Sequence, residues 1–186
     1  MNIKDSNRFS FRLMDENDAD LLFELDQDTE VMKYLTNGKM TTREEINDVY
    51  IPRMMSYRNA ERGWGIWAIH HKSTNDFLGW VLTRPMHFFN EQRDDTNLEL
   101  GWRFKRSLWG QGIATEAARH IALQVSQANA EISRVSAIAK PDNKASIKVM
   151  QKLGMTFQSE YLHPDPLGPV QVVLYSCGIN GLAAHS

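Results

Sequence analysis

The sequence predicts an α+β fold in which a mixed sheet surrounds two late helices, and three observations carry that expectation. Residues 63–71, 77–84 and 97–104 are short runs rich in Trp, Val, Ile and Phe, separated by polar turns, the pattern of consecutive strands. Ala114, Ala117, Ala118, Ile121, Ala122 and Val125 fall at helical spacing and form one apolar stripe of small residues suited to close packing on a sheet. Beyond that stripe, strand and helix patterns alternate, so the full order reads β-α-α-β-β-β-α-β-α-β-β.

The elements follow in order. Phe9, Phe11 and Leu13 alternate in RFSFRLM, a half-buried strand. Residues 17–27 read as a helix with acids in its first turn and Leu21, Leu22 and Leu25 on one face. Residues 29–60 read as irregular helix, with a second start at Thr41 or Thr42 before Glu44 and Glu45, and a kink near Pro52. In the strand over 97–104, Leu98, Leu100, Trp102 and Phe104 take one face, and Asn97, Glu99, Gly101 and Arg103 the other. A polar loop is expected over 88–96. RVSAIA at 134–139 is a short buried strand, and Asn143 to Leu153 a helix ended by Gly154. Residues 155–161 and 170–176 make two last strands joined by HPDPLGP.

A chain of 186 residues with 42% hydrophobic and 24% charged residues is expected to be one globular domain over 1–186, neither collagen-like nor wholly disordered. A net charge of −2 argues against a general nucleic-acid binder. The lone Cys177 closes no internal disulfide. The N-terminal segment lacks the apolar run of a signal peptide, and no apolar stretch of spanning length occurs, so the expectation is a cytoplasmic protein without a membrane partner. None of the six histidines, His70, His71, His87, His120, His163 and His185, shows metal-ligand spacing, so no metal is expected; they read as surface or packing residues. Trp64, Trp67 and Trp80 read as sheet core, and Cys177 as a small apolar residue.

Charge is uneven. Residues 105–152 hold eight bases against three acids, +5 in all, leaving −7 elsewhere, and residues 15–30 carry eight acids and no base. Within the basic stretch, FKRSLWGQGIATEA (104–117) takes a strand through Gly110 and Gly112 into the alanine helix. Helix N-termini present unpaired N–H groups and a positive dipole end, and glycines let the backbone approach an anion, so a phosphate cradle flanked by Lys105 and Arg106 fits. A Walker A loop is absent, and Gly110-x-Gly112-x-x-Thr115 lacks the third glycine of a dinucleotide fingerprint. A plain strand-to-helix turn fits the local pattern equally.

WGQGIATEAAR (109–119) and PDNKASIKVMQKLGM (141–155) resemble, in order and spacing, the acetyl-CoA loop and the asparagine-bearing helix of the GCN5-related N-acetyltransferase (GNAT) superfamily. The resemblance covers most of the chain. It implies a mostly antiparallel, twisted sheet with helices on both faces and a splayed central strand pair. The family pattern [RQ]-x-x-G-x-[GA] begins here with Trp109, a variant similar to the ribosomal-protein N-terminal (RimJ/RimL-like) branch. That branch also acts on other amines. The resemblance implies acetyl-CoA as co-substrate, its pyrophosphate on the backbone of Gln111, Gly112, Ile113, Ala114 and Thr115, and its pantetheine arm on the backbone of Trp102 to Phe104.

Direct transfer to an amine needs a base, and Glu99 is the candidate, acting through water; the other reading is an ordinary exposed charge on an amphipathic strand. Asn143 resembles the family asparagine that meets the pantetheine arm, and an N-cap explains it equally. Ser146 shares the inner stripe with Val149, Met150 and Leu153, and is a candidate proton donor to the departing sulfur; a hydroxyl bonded to the preceding turn is the alternative. By the resemblance, the first two helices and the loop near 162–169 wall the acceptor groove. The expected acceptor is a primary amine, either a protein N-terminal α-amine or a small amine such as a polyamine, and the acidic run suits a cationic one. A non-catalytic acyl-CoA-binding domain and a small dinucleotide-binding oxidoreductase are the other readings. Monomer and homodimer are both open.

Overall fold

The alternating segments fold as strands of one sheet in a computed structural model of the chain, which describes residues 1–164 and 168–183. The strands are β1 (Phe9–Leu13), β2 (Gly65–His71), β3 (Phe77–Met86), β4 (Asp94–Phe104), β5 (Arg134–Ala139), β6 (Thr156–His163) and β7 (Val170–Gly178), ordered β1-β2-β3-β4-β5-β7-β6. Every pairing is antiparallel except β4 with β5. The expected polar loop after β3 is shorter than the sequence suggests, because β4 begins at Asp94 and pairs there with Met86 across a register shift.

The helices are α1 (Ala19–Leu25), α2 (Thr29–Met32), α3 (Arg43–Glu45), α4 (Ile51–Tyr57), α5 (Ile113–Ala128), α6 (Lys144–Lys152) and α7 (Ile179–Ala183). Local chemistry sets several starts. Asp15 and Asp18 form a capping box that opens a 3₁₀ turn ahead of α1, and Thr42 and Glu45 form another at α3. Between α3 and α4 lies a π turn, Ile46–Tyr50, where the Ile51 N–H reaches back to the Ile46 carbonyl. Pro52 is the reason: it has no N–H for the Asp48 carbonyl and its ring crowds that group, so the helix widens just before it. α7 is not foreshadowed in the sequence, being five residues with an internal glycine; burial of Leu182 and a bond from the Ile179 N–H to the Ser133 carbonyl at 3.0 Å hold it.

Helices cover both faces. On one, Phe9, Trp67, Val81, Leu98, Leu100 and Val135 pack against the alanine stripe of α5 and against Met150 and Leu153. On the other, Ile66, Ala68 and Phe77 meet Leu22, Leu25, Ile46 and Met54 from the N-terminal helices. β4 and β5 pair only over residues 97–99 with 134–136. Beyond that, residues 137–139 pair with β7 and residues 100–104 with β3, so the central strands splay apart. His120 packs flat on Phe11 with ring centroids 4.8 Å apart. His185 lies outside the described residues.

His70 yields a pH expectation. Burial, followed by the nearby Arg12 charge, holds its imidazole below the ordinary value. A depressed folded-state pKa means the unfolded chain binds more protons, so this contribution is full above about pH 6.5 and is lost as pH falls through the folded value. Thermal unfolding of His70→Gln is therefore expected to depend less steeply on pH below that point than the parent.

Candidate active site

Where β4 and β5 part, a cavity of about 480 Å³ opens between the free edge of β4, the loop before α5 and the first turns of α6. The loop is shaped by its own residues. The Trp109 indole N–H donates to the Phe104 carbonyl at 2.9 Å and folds the chain back on itself. Gly110 and Gly112 then adopt φ values of 78° and 77°, and a Cβ added at either would meet nothing within 4 Å. Glycine is thus needed for the backbone conformation, and the space above it stays open.

Gly112 is the N-cap of α5 and supplies no capping side chain. The first helical bond runs from the Glu116 N–H to the Gly112 carbonyl at 3.0 Å. Among the described residues, the amides of residues 111–115 have no acceptor. A row of free N–H groups at the positive end of a 16-residue helix is an anion cradle. Gly112, Ile113, Ala114 and Thr115 line the cavity, whereas the Gln111 side chain turns away and donates to the Ser107 carbonyl at 3.0 Å.

Lys105 and Arg106, expected from the sequence to flank this cradle, are engaged elsewhere. Lys105 pairs with Glu24 at 2.6 Å and Arg106 with Asp28 at 3.3 Å. The cations on the cavity are Lys140, Lys148, Lys152 and Arg103, the last of them paired with Asp26. The acidic run is likewise engaged: Asp18 pairs with Arg12, Asp20 with Arg43 and the buried Asp26 with Arg103. Glu30 alone of those eight acids lines the cavity.

Trp102 and Phe104 line the cavity, but the Phe104 carbonyl already accepts from Trp109. Asn143 and Ser146 lie on the wall. Asn143 caps α6, its side chain accepting the Ser146 N–H at 3.2 Å, which leaves its amide N–H donors for the cavity. The Ser146 hydroxyl makes no hydrogen bond among the described residues and is half-buried.

Glu99 also lines the cavity and is not an exposed surface charge. The face it shares with Arg103 is covered by the N-terminal helices. Both its carboxylate oxygens accept from Arg84, at 2.8 and 2.9 Å. Tyr57 lies beside this pair, and burial pushes its phenol up to about 12. Each Glu99 oxygen keeps a second lone pair, so the carboxylate can still accept a proton relayed by water.

Trp80, read from the sequence as sheet core, packs half-buried against the core under the N-terminal helices and also lines the cavity, next to the Arg103 guanidinium at 5.0 Å; Trp64 and Trp67 are core. Arg84 and Arg103 were not legible as site residues, because only strand register puts them opposite Glu99 and Trp80. Cys177 is half-buried, and burial pushes its thiol up. Among the described residues no cluster of His, Cys, Asp or Glu could hold a metal, and no helix is long and apolar enough to cross a membrane. Residues 165–167 of the expected acceptor loop lie outside the described residues.

A family model described as an acetyltransferase (GNAT) domain matches residues 8–156. The chain is 34% identical over 157 residues to YkkB of Bacillus subtilis strain 168, covering 82% of this chain and 84% of that one. RimL, a ribosomal L7/L12 alpha-N-protein acetyltransferase solved with coenzyme A, shares the fold at a TM-score of 0.73 and 18% identity, covering 97% of this chain and 99% of that one. Aminoglycoside acetyltransferase AAC(6')-Ib, solved with coenzyme A and kanamycin, does so at 0.73 and 16% identity, covering 95% and 98%. A family model spanning most of the chain places the chain in the GNAT acetyltransferase family.

Proposed function

We propose that this chain transfers an acetyl group from acetyl-CoA directly to a primary amine, with a protein or peptide N-terminal α-amine as the acceptor. The observation that carries the reading is the row of unpartnered amides at residues 111–115, opening onto the free edge of β4. That cradle fits a pyrophosphate, and Lys140, Lys148 and Lys152 supply positive charge along the same cavity. The backbone of Trp102 and the Asn143 side chain offer hydrogen-bonding partners for an amide-bearing arm. That RimL and AAC(6')-Ib were both solved with coenzyme A supports the choice of donor.

In this reading Glu99 takes up the amine's proton through water, and the neutral nitrogen bonds to the acetyl carbon as the C–S bond breaks. Ser146 donates a proton to the departing thiolate, and its hydroxyl is restored by the second proton, which the new amide nitrogen sheds. A RimL-like N-terminal acceptor is favoured over a polycation because most of the acidic run is tied up in ion pairs, which leaves Glu30 and Glu99 as the carboxylates of the cavity.

Calorimetric titration with acetyl-CoA and with NAD(P), followed by mass spectrometry of a panel of peptides and small amines, tests the proposal. Binding of acetyl-CoA with acetylated peptide N-termini is expected. Binding without turnover of any amine would make this a sensing domain, and preference for NAD(P) would sink the reading. Ser146→Ala is expected to slow the chemical step about 10-fold, less than the usual 10²–10⁴-fold worth of a general acid because a thiolate leaves readily. Normal single-turnover acetylation by that variant would remove Ser146 from the role.

A further inference from the structure

Arg84 belongs to β3 and stands directly across from Glu99 in the β3–β4 register. The pair is nearly dry, with side-chain exposures of 12% and 8%. Its geometry is a fork: Nε meets one carboxylate oxygen at 2.8 Å and Nη2 the other at 2.9 Å. Such bidentate contacts fix the plane of the carboxylate as well as its charge. The guanidinium carbon in turn lies 5.3 Å from the Tyr57 ring and 5.2 Å from that of Phe89, two rings that meet edge to face. Burial works against the Arg84 charge, yet the attraction of Glu99 and their hydrogen bonds carry its pKa above the usual arginine value.

We propose that Arg84 is a positioning residue: gripped by Tyr57 and Phe89, it locks the Glu99 carboxylate in one orientation toward the cavity. The inference rests on the reading of Glu99 as the group that takes up the amine's proton. With one lone pair on each oxygen bound to Arg84, the other stays aimed at the water that relays that proton. Lysine would keep the charge but not the planar fork, so orientation and charge can be separated experimentally.

The test uses the full chain with R84K, R84M and E99Q. The Glu99 carboxyl carbon-13 resonance, assigned with E99Q and recorded at one fixed pH, reads how the carboxylate is held without any turnover. In R84M and R84K that resonance is expected to move or broaden relative to the parent's as the planar fork is lost. R84K is expected to lose about 10-fold in kcat from misorientation alone, with acetyl-CoA affinity unchanged. An unmoved Glu99 signal in R84M, or parental kcat in R84K, overturns the role of Arg84. If E99Q nevertheless loses turnover, the Glu99 reading survives that failure. A parental pH profile in E99Q sinks the Glu99 reading itself, and the role of Arg84 in catalysis with it. Should R84M not fold, R84K decides through its rate.

Discussion

Glu99→Gln is expected to lower kcat by about 10²–10⁴-fold, the usual worth of a positioned general base. The loss should be deepest at low pH, where the acceptor amine is most protonated and needs the carboxylate, and should narrow as rising pH supplies free amine. Acetyl-CoA affinity should hold, because the anion cradle at residues 111–115 is built from backbone amides and takes nothing from the Glu99 side chain. The measurement is kcat against pH for both proteins, with calorimetry for the coenzyme. The variant also places an amide N–H against the donors of Arg84, so thermal unfolding must be recorded alongside. A flat ratio of rates across pH would leave Glu99 as the structural counter-ion of Arg84 and nothing more.

Gly79→Ala is expected to cost about 3 kcal/mol or more of stability, the range of substitutions that force backbone strain and overpacking together. Gly79 sits at a φ of 150°, opposite Phe104, and an added Cβ would lie 2.3 Å from the Arg103 carbonyl oxygen and 2.6 Å from the Phe104 Cα. Both obstacles are backbone, so no side chain can swing aside; β3 and β4 must separate. For a chain of this size the midpoint of thermal unfolding should fall by roughly 6–12 °C. Because Arg103 and Phe104 line the cavity, acetyl-CoA should also bind more weakly. A midpoint within a degree of the parent's would show that the strands relax freely here.

Features set by a few neighbouring residues could be read directly from the chain. The Thr42–Glu45 capping box, the Asn143 cap and the glycine conformations at 110 and 112 depend on contacts spanning at most three positions. So does the division of β4 into a Leu98–Leu100 face and a Glu99–Arg103 face, which follows from the two-residue period of a strand. The start of α1 differed from the expected helix because the capping box closed a 3₁₀ turn first.

What could not be read rests on distance along the chain. Asp26 and Arg103, 77 positions apart, meet only because α1 lies across the sheet, and their pairing withdraws a charge that looked available to a cationic acceptor. Lys105 and Arg106 look like phosphate ligands in sequence but face Glu24 and Asp28 in space. Trp80 packs on the core as its sequence suggests, but that it also walls a cavity follows only from the splay of β4 and β5.

The sequence by itself determined the kinds of element, their order and the backbone shape of the anion loop, since these follow from local sterics, capping and hydrophobic period. Only the tertiary structure decided which charges are free and which are paired, and how Glu99 is held. Charges are matched by register and by helix placement, and neither is encoded within one turn or one strand.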